Sequence, residues 1–73
     1  MSETITVDAR GLSCPQPVMM AYQAVKKATK GTIEILVDSG TARDNVSRAG
    51  KSVGWKVTVE DCPDGSYRVL FKK

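Results

Sequence analysis

Histidine is absent from this chain of 73 residues, and its absence excludes several kinds of active site. A cysteine–histidine pair and a serine–histidine–aspartate triad both need an imidazole. Two cysteines alone fall short of the four ligands that structural zinc usually takes. They also do not make a disulfide scaffold. Metal binding and thiol redox chemistry are therefore the function classes that the composition favours least.

Long apolar runs are missing as well. No stretch approaches the ~20 apolar residues of a membrane span, and the alternating start does not resemble a signal peptide. A cytoplasmic protein of one domain, residues 1–73, is the expectation. So small a core has no room for a large cofactor, so any chemistry should lie on the surface and be completed by a partner. The net charge of +3 is compatible with nucleic acid, an acidic protein surface or a merely solvated basic surface.

Periodicity predicts the element order βαβαββ. The alternating segments and the two segments with helical spacing are 4–9 (strand), 16–29 (helix), 32–38 (strand), 42–53 (helix), 55–60 (strand) and 66–72 (strand). Right-handed crossovers should place both helices on one face of the sheet and leave the other face open. Leu36 and Leu70 should point into that open face, either as scattered exposed leucines or as part of a partner surface.

The two predicted helices carry recognisable faces and ends. In the first, an apolar stripe should face the core, while Met19 and the lysines fall on the opposite face. The stripe consists of Val18, Ala21, Tyr22, Val25 and Ala28. In the second, Thr41 and Asp44 have the spacing of a capping box, and Gly54 suits the carboxyl-terminal cap.

Cys14 lies where the first strand ends and the first helix begins. Pro15 and Pro17 suit a first helical turn, in which the missing N–H groups have no helical partner. The partial positive charge of a helix amino terminus stabilises a thiolate or persulfide and lowers the thiol pKa, and Arg10 is close in sequence. The alternative interpretation of Cys14 is a small buried hydrophobic residue.

The residue three positions after Cys14 argues against a dithiol mechanism. A dithiol oxidoreductase has Cys-x-x-Cys, and here Pro17 stands in place of the second cysteine. A single activated cysteine has no resolving partner within the motif, but it can accept a group from one protein and deliver it to another.

The segment from Asp8 to Val18, with Cys14-Pro15-Gln16-Pro17 at its centre, resembles the Cys-Pro-x-Pro signature of the TusA/SirA family of small sulfur carriers. The segment from Val37 to Val46 is similar to the family's entry into the second helix, especially in the amino-terminal domain of YedF-type proteins. The resemblance implies an α+β fold, a two-layer α/β sandwich with a mixed four-stranded sheet of order 1-2-4-3. The last strand would be antiparallel, as in the carboxyl-terminal domain of a translation initiation factor.

The resemblance also implies a function. Cys14 would accept sulfane sulfur as a persulfide from a cysteine desulfurase or a rhodanese-like donor. It would pass the sulfur to an acceptor protein for tRNA thiolation, molybdenum cofactor maturation, or sulfur or selenium metabolism. The protein would be a monomeric sulfurtransferase component with no metal and no cofactor beyond the persulfide. The residues that match the motif and would shape the site are Asp8, Arg10, Gly11, Leu12, Pro15, Pro17 and Asp38.

Three points stay open in the sequence. Strand order 1-2-4-3 would put Cys62 about 14 Å from Cys14, too far for a disulfide, so Cys62 is either without a role or a second sulfur acceptor. An acidic partner protein could dock beside Met19, Lys26 and Lys27, which are expected to flank the Cys14 edge. A regulatory or RNA-binding module is the alternative function, although aromatic residues are few and no nucleic acid or membrane partner is expected.

Overall fold

The computed structural model describes residues 4–12, 16–28 and 31–73, and it contains four strands and two helices. The elements are β1 Thr4–Asp8, α1 Gln16–Lys27, β2 Thr32–Val37, α2 Gly40–Ser52, β3 Lys56–Asp61 and β4 Tyr67–Lys72. The predicted order βαβαββ is confirmed, and each boundary agrees to within two residues. Neither helix of the described residues is long and apolar enough to cross a membrane.

The four strands form one mixed sheet of order β1-β2-β4-β3. β1 pairs with β2 in parallel, whereas β4 is antiparallel to both β2 and β3. The parallel pair needs a helical crossover, which α1 supplies, and the antiparallel pair β3–β4 needs only the turn after Asp61. The α+β sandwich with sheet order 1-2-4-3 is therefore confirmed.

The core lies between the sheet and the two helices. Ile33, Ile35 and Val37 of β2 are fully buried, as their alternation predicts, and Val69 and Phe71 of β4 lie beside them. The helices contribute mainly alanines and Val46, so their backbones can approach the sheet closely. With both helices on this face, no described helix or strand covers the opposite face of the sheet.

The buried face of α1 is rotated slightly from the predicted stripe. Pro17, Ala21 and Ala24 are its buried residues, with Ala28 just beyond its end. Tyr22 was expected in the core but is 39% exposed, because its hydroxyl extends to within 3.5 Å of Ser52 Oγ on α2. The ring bridges the two helices at the surface instead of entering the core.

The start of α2 corrects the predicted capping box. The cap is Ser39, whose Oγ accepts a hydrogen bond from the backbone N–H of Ala42 at 3.1 Å. Thr41 and Asp44 lie inside the helix, which begins two residues earlier than predicted. Serine is among the strongest capping residues, so the true start was available to the same rule at an earlier position. Gly54 has a φ of 86° just past the helix, as expected for a residue that ends it.

Ion pairs connect three strands across the open face of the sheet. Arg68 on β4 has its Nε atom 3.5 Å from Glu34 Oε2 on β2 and its Nη1 atom 3.3 Å from Glu60 Oε1 on β3. Leu36 and Leu70 lie on this face and are half-buried beside these polar side chains. They are therefore apolar positions within a surface that also carries Glu34, Arg68 and Glu60.

Candidate functional site

Cys14 lies outside the described residues, together with Ser13 and Pro15. The surroundings of the loop are described on both sides, from Asp8 to Leu12 and from Gln16 onward. These residues lie at the end of the sheet where β1 and β2 finish and both helices begin. The geometry of the site is therefore that of the segments that lead into and out of the Cys14 loop.

The segment that leads into the loop is held by Asp8 and Arg10. Asp8 Oδ1 accepts hydrogen bonds from the backbone N–H of Arg10 at 3.1 Å and from its Nε at 3.0 Å, and Oδ2 accepts one from Nη2 at 3.0 Å. The two side-chain bonds form the parallel, bidentate geometry that guanidinium and carboxylate favour. The hydrogen bonds from Arg10 hold the pKa of Asp8 below its usual value. The same pairing raises the pKa of Arg10.

The turn that follows is anchored to the next strand. Gly11 has a φ of 78°, a left-handed conformation that glycine adopts without steric cost. Its N–H donates a 2.8 Å hydrogen bond to Asp38 Oδ2, just after β2. Asp38, which the family resemblance indicated without a role, is thus the acceptor that fixes the backbone three residues before Cys14.

Arg10 also reaches a part of the chain that the sequence did not connect with the site. Its Nη1 lies 3.7 Å from Oδ2 of Asp64, in the turn between β3 and β4. Asp64 is itself held by hydrogen bonds from the backbone N–H and hydroxyl of Ser66, which lower its pKa. No local pattern marks Asp64, because the approach of the two loops across β2 and β4 depends on the tertiary fold.

Cys62 belongs to the same turn. It is half-buried with a free thiol, and its backbone pairs with Ser66 and Gly65. It also lies near enough to Arg10 to add, after the larger effects of Asp8 and Asp64, to the raised pKa of the guanidinium. The separation of Cys62 from Cys14 stays a prediction, because Cys14 lies outside the described residues. The Arg10 side chain reaches from the segment before the loop to this turn.

One buried and two exposed apolar residues lie on the two sides of the Cys14 loop. Pro17 lies in the first turn, as predicted, and its side chain is fully buried. Leu12, before the loop, is 37% exposed, and Met19, after it, is 54% exposed. The prediction that Met19 points away from the core is confirmed.

Lys26 and Lys27 do not lie at this end of the domain. They occupy the last turn of α1, about 15 Å along the helix axis from Gln16. The expectation that they flank the Cys14 edge is wrong, because residues on one face of a helix can still lie far apart along its axis. Carboxylates surround the loop end instead, contributed by Asp8, Asp38, Asp44, Glu60, Asp61 and Asp64.

The described residues hold no group of three or more histidine, cysteine or acidic side chains that could bind a metal ion. What they provide is an exposed segment, residues 10–12, that leads into the loop and is held by Asp8, Asp38 and Asp64. The fold is a small two-layer α/β domain in which residues 10–12, part of the connection between its first strand and first helix, are exposed.

Comparison with known proteins assigns this domain to a family. The profile described as Sulfurtransferase TusA matches residues 5–73. The crystal structure of a SirA-like protein from Desulfitobacterium hafniense has a TM-score of 0.87 and 28% identity, covering 93% of this chain and 95% of that one. An uncharacterized protein of Methanocaldococcus jannaschii is 32% identical over 69 residues, and this chain spans about a quarter (25%) of its length. The chain belongs to the TusA family, which supports a general role in carrying sulfur.

Proposed function

We propose that the protein is a sulfur carrier that accepts sulfane sulfur as a persulfide on Cys14 and delivers it to an acceptor protein. The observation that carries this proposal is the family match over residues 5–73, which includes the segment Cys14-Pro15-Gln16-Pro17. The acceptor pathway would be tRNA thiolation, molybdenum cofactor maturation, or sulfur or selenium metabolism. We place the protein in the cytoplasm, where thiols are kept reduced.

The transfer needs no oxidant. The Cys14 thiolate attacks the outer sulfur of a persulfide on a cysteine desulfurase or rhodanese-like donor, and an S–S bond to Cys14 forms. The S–S bond within the donor breaks, and the donor cysteine leaves as a thiolate. One sulfur atom has moved, the charge is balanced, and the same exchange with an acceptor thiolate regenerates Cys14.

The anchors of the loop support this chemistry. Because α1 begins at Gln16, its amino terminus directly follows Cys14 and Pro15 in the chain and can favour a sulfur anion. The Asp8–Arg10 pair and the bond from Gly11 to Asp38 restrain the backbone that leads to Cys14. A restrained loop presents its reactive atom to a partner with less ordering on contact.

The partner surface that we propose includes Leu12 and Met19, the exposed large apolar residues closest in sequence to Cys14. Methionine adapts to varied partner surfaces, which suits a carrier that meets a donor and an acceptor in turn. The carboxylates at this end, such as Asp61 and Asp64, would complement a partner with a basic rim. A basic partner is the opposite of the acidic one that the sequence predicts, because Lys26 and Lys27 lie at the other end of α1.

Mass spectrometry of the intact protein tests the proposal. Incubation with a cysteine desulfurase and cysteine should add about 32 Da, one sulfur atom, and reduction should remove it. The adduct should be lost in Cys14→Ser and retained in Cys62→Ser, the matched control that removes the other thiol.

Two outcomes would contradict the proposal. If neither thiol gains mass with a desulfurase or with a rhodanese-like donor, the protein does not carry sulfur as a persulfide. If Cys62→Ser abolishes the adduct and Cys14→Ser keeps it, the carrier thiol is Cys62.

A further inference from the structure

All the lysines that the structure describes lie at one end of the domain, opposite the Cys14 loop. Both helices end here, β2 and β3 begin here, and β4 finishes here. We call this surface the lysine end, and its residues are Lys26, Lys27, Lys51, Lys56, Lys72 and Lys73.

The topology brings these lysines together from distant parts of the chain. Lys56, the first residue of β3, pairs in register with Lys72, the last residue of β4. Lys73 exchanges backbone hydrogen bonds of 3.1 and 3.2 Å with Gly31, and its Nζ lies 5.9 Å from the ring centre of Trp55. Two strands and two helices thus direct positive charge to one surface.

No described acidic side chain lies at this end. The described carboxylates lie at the loop end of the fold except for Glu34, which is on the open face of the sheet and paired with Arg68. A groove of about 600 Å³ lies at this end, and its lining consists of Gly31, Thr32, Gly54, Lys56, Lys72 and Lys73. Charged side chains of one sign around a groove attract a polyanion.

We propose that the lysine end binds the phosphate backbone of RNA. A protein partner would require an apolar centre in its interface, and none of the exposed large apolar side chains lines the groove. Those side chains are Leu12, Met19, Tyr22 and Val59. Lysine ammonium groups bind phosphate oxygens as point charges, and the glycine backbone leaves room for close approach.

The proposed binding does not depend on base sequence. Trp55, the aromatic residue next to the groove, is only 5% exposed and cannot stack on a base. Affinity should therefore come from the phosphates alone and fall steeply with salt. The sequence has few aromatic residues, and this scarcity argues against RNA recognition through base stacking. Binding of the phosphate backbone needs no aromatic residue and stays open.

Fluorescence anisotropy with a labelled single-stranded RNA of twelve nucleotides tests the proposal. The parent protein should bind with an affinity that decreases as salt rises, and the triple variant K56Q/K72Q/K73Q should reduce the salt slope by roughly one unit per lysine removed. For charge-matched singles, Lys72→Gln should weaken binding more than Arg48→Gln, which removes an exposed charge from α2.

A competition experiment separates RNA from an acidic protein partner. Poly-glutamate of equal charge should displace the RNA poorly. Displacement as effective as that by unlabelled RNA would overturn the assignment in favour of an acidic protein surface. Equal losses from Lys72→Gln and Arg48→Gln would show attraction by net charge alone and also overturn the site. None of these outcomes depends on whether the protein carries sulfur, because the anisotropy titration measures RNA binding alone. Cys14 is unchanged in every variant.

Discussion

Arg10 connects the two described loops of the site. Its guanidinium pairs with Asp8 in its own loop and lies 3.7 Å from Asp64 in the β3–β4 turn. Exposed ion pairs of this kind contribute little to global stability. Their effect is local, because they fix the relative position of two loops that have no backbone hydrogen bond to each other among the described residues.

The two carboxylates give this arrangement a predictable pH dependence. Asp8 and Asp64 both have a pKa below the usual 3.8 in the folded protein. Their ionised forms therefore add stability above the unfolded pKa, and this contribution is lost as the pH falls through the lower folded values. We expect the free energy of unfolding, measured with urea, to decrease below about pH 4, and less steeply in the double variant D8N/D64N.

Arg10→Gln serves as the control for this effect. It keeps both carboxylates but removes the hydrogen-bond donor that lowers the pKa of Asp8. Its acid profile should therefore be flatter than that of the parent and steeper than that of the double variant, since Ser66 still lowers the pKa of Asp64. Superimposable profiles for all three proteins would show that these pairs do not form in solution.

At the scale of elements, most of the fold could be predicted from local patterns. The alternation of Ile33, Ile35 and Val37 gave both the strand and its buried face, because a strand with one covered side leaves that signature. The start of α2 was misplaced because two candidate caps, Ser39 and Thr41, lie two residues apart. The structure selects Ser39, whose extended backbone (φ −141°, ψ 152°) is that of a capping residue.

Gly50 shows a constraint between elements that the sequence does not reveal. It lies within α2, where alanine normally stabilises a helix by about 1 kcal/mol relative to glycine. A Cβ atom at this position, however, would lie only 2.5 Å from Cε1 of the buried Phe71 ring on β4. We expect Gly50→Ala to lower the free energy of unfolding by about 1–3 kcal/mol through overpacking.

Gly40→Ala is the matched control in the same helix. Its Cβ would meet only the flexible end of Arg43, at 3.5 Å, so the variant should be neutral or slightly more stable than the parent. Denaturant unfolding of both variants measures the difference. A Gly50→Ala protein as stable as Gly40→Ala would mean that the ring of Phe71 moves aside without cost.

At the scale of the whole molecule, the charges are divided between two ends. Carboxylates surround the loop that carries Cys14, and the described lysines lie at the other end. Neither cluster could be recognised in the sequence, because each one gathers residues that are tens of positions apart, such as Asp8 with Asp64 and Lys26 with Lys72. The motif around Cys14 could be recognised because its residues are contiguous.

This division predicts that sulfur loading and RNA binding respond to different substitutions. Strands of six residues separate the two ends by about 20 Å, roughly twice the Debye length at 0.1 M salt, so charge at one end is largely screened at the other. Met19→Gln should slow persulfide formation about fivefold, equivalent to roughly 1 kcal/mol of docking energy, and leave RNA affinity unchanged. The triple variant K56Q/K72Q/K73Q should weaken RNA binding and load sulfur at the parental rate.

The measurements are the rate of the mass increase with a desulfurase and the anisotropy titration with RNA, made on the same preparations. A slower loading rate in the triple variant would place the donor on the lysine end and contradict the docking surface at Leu12 and Met19. An RNA affinity that falls in Met19→Gln would mean that one surface serves both partners. Independent ends also require that saturating RNA leave the rate of the mass increase with the donor unaltered, which the same assay measures.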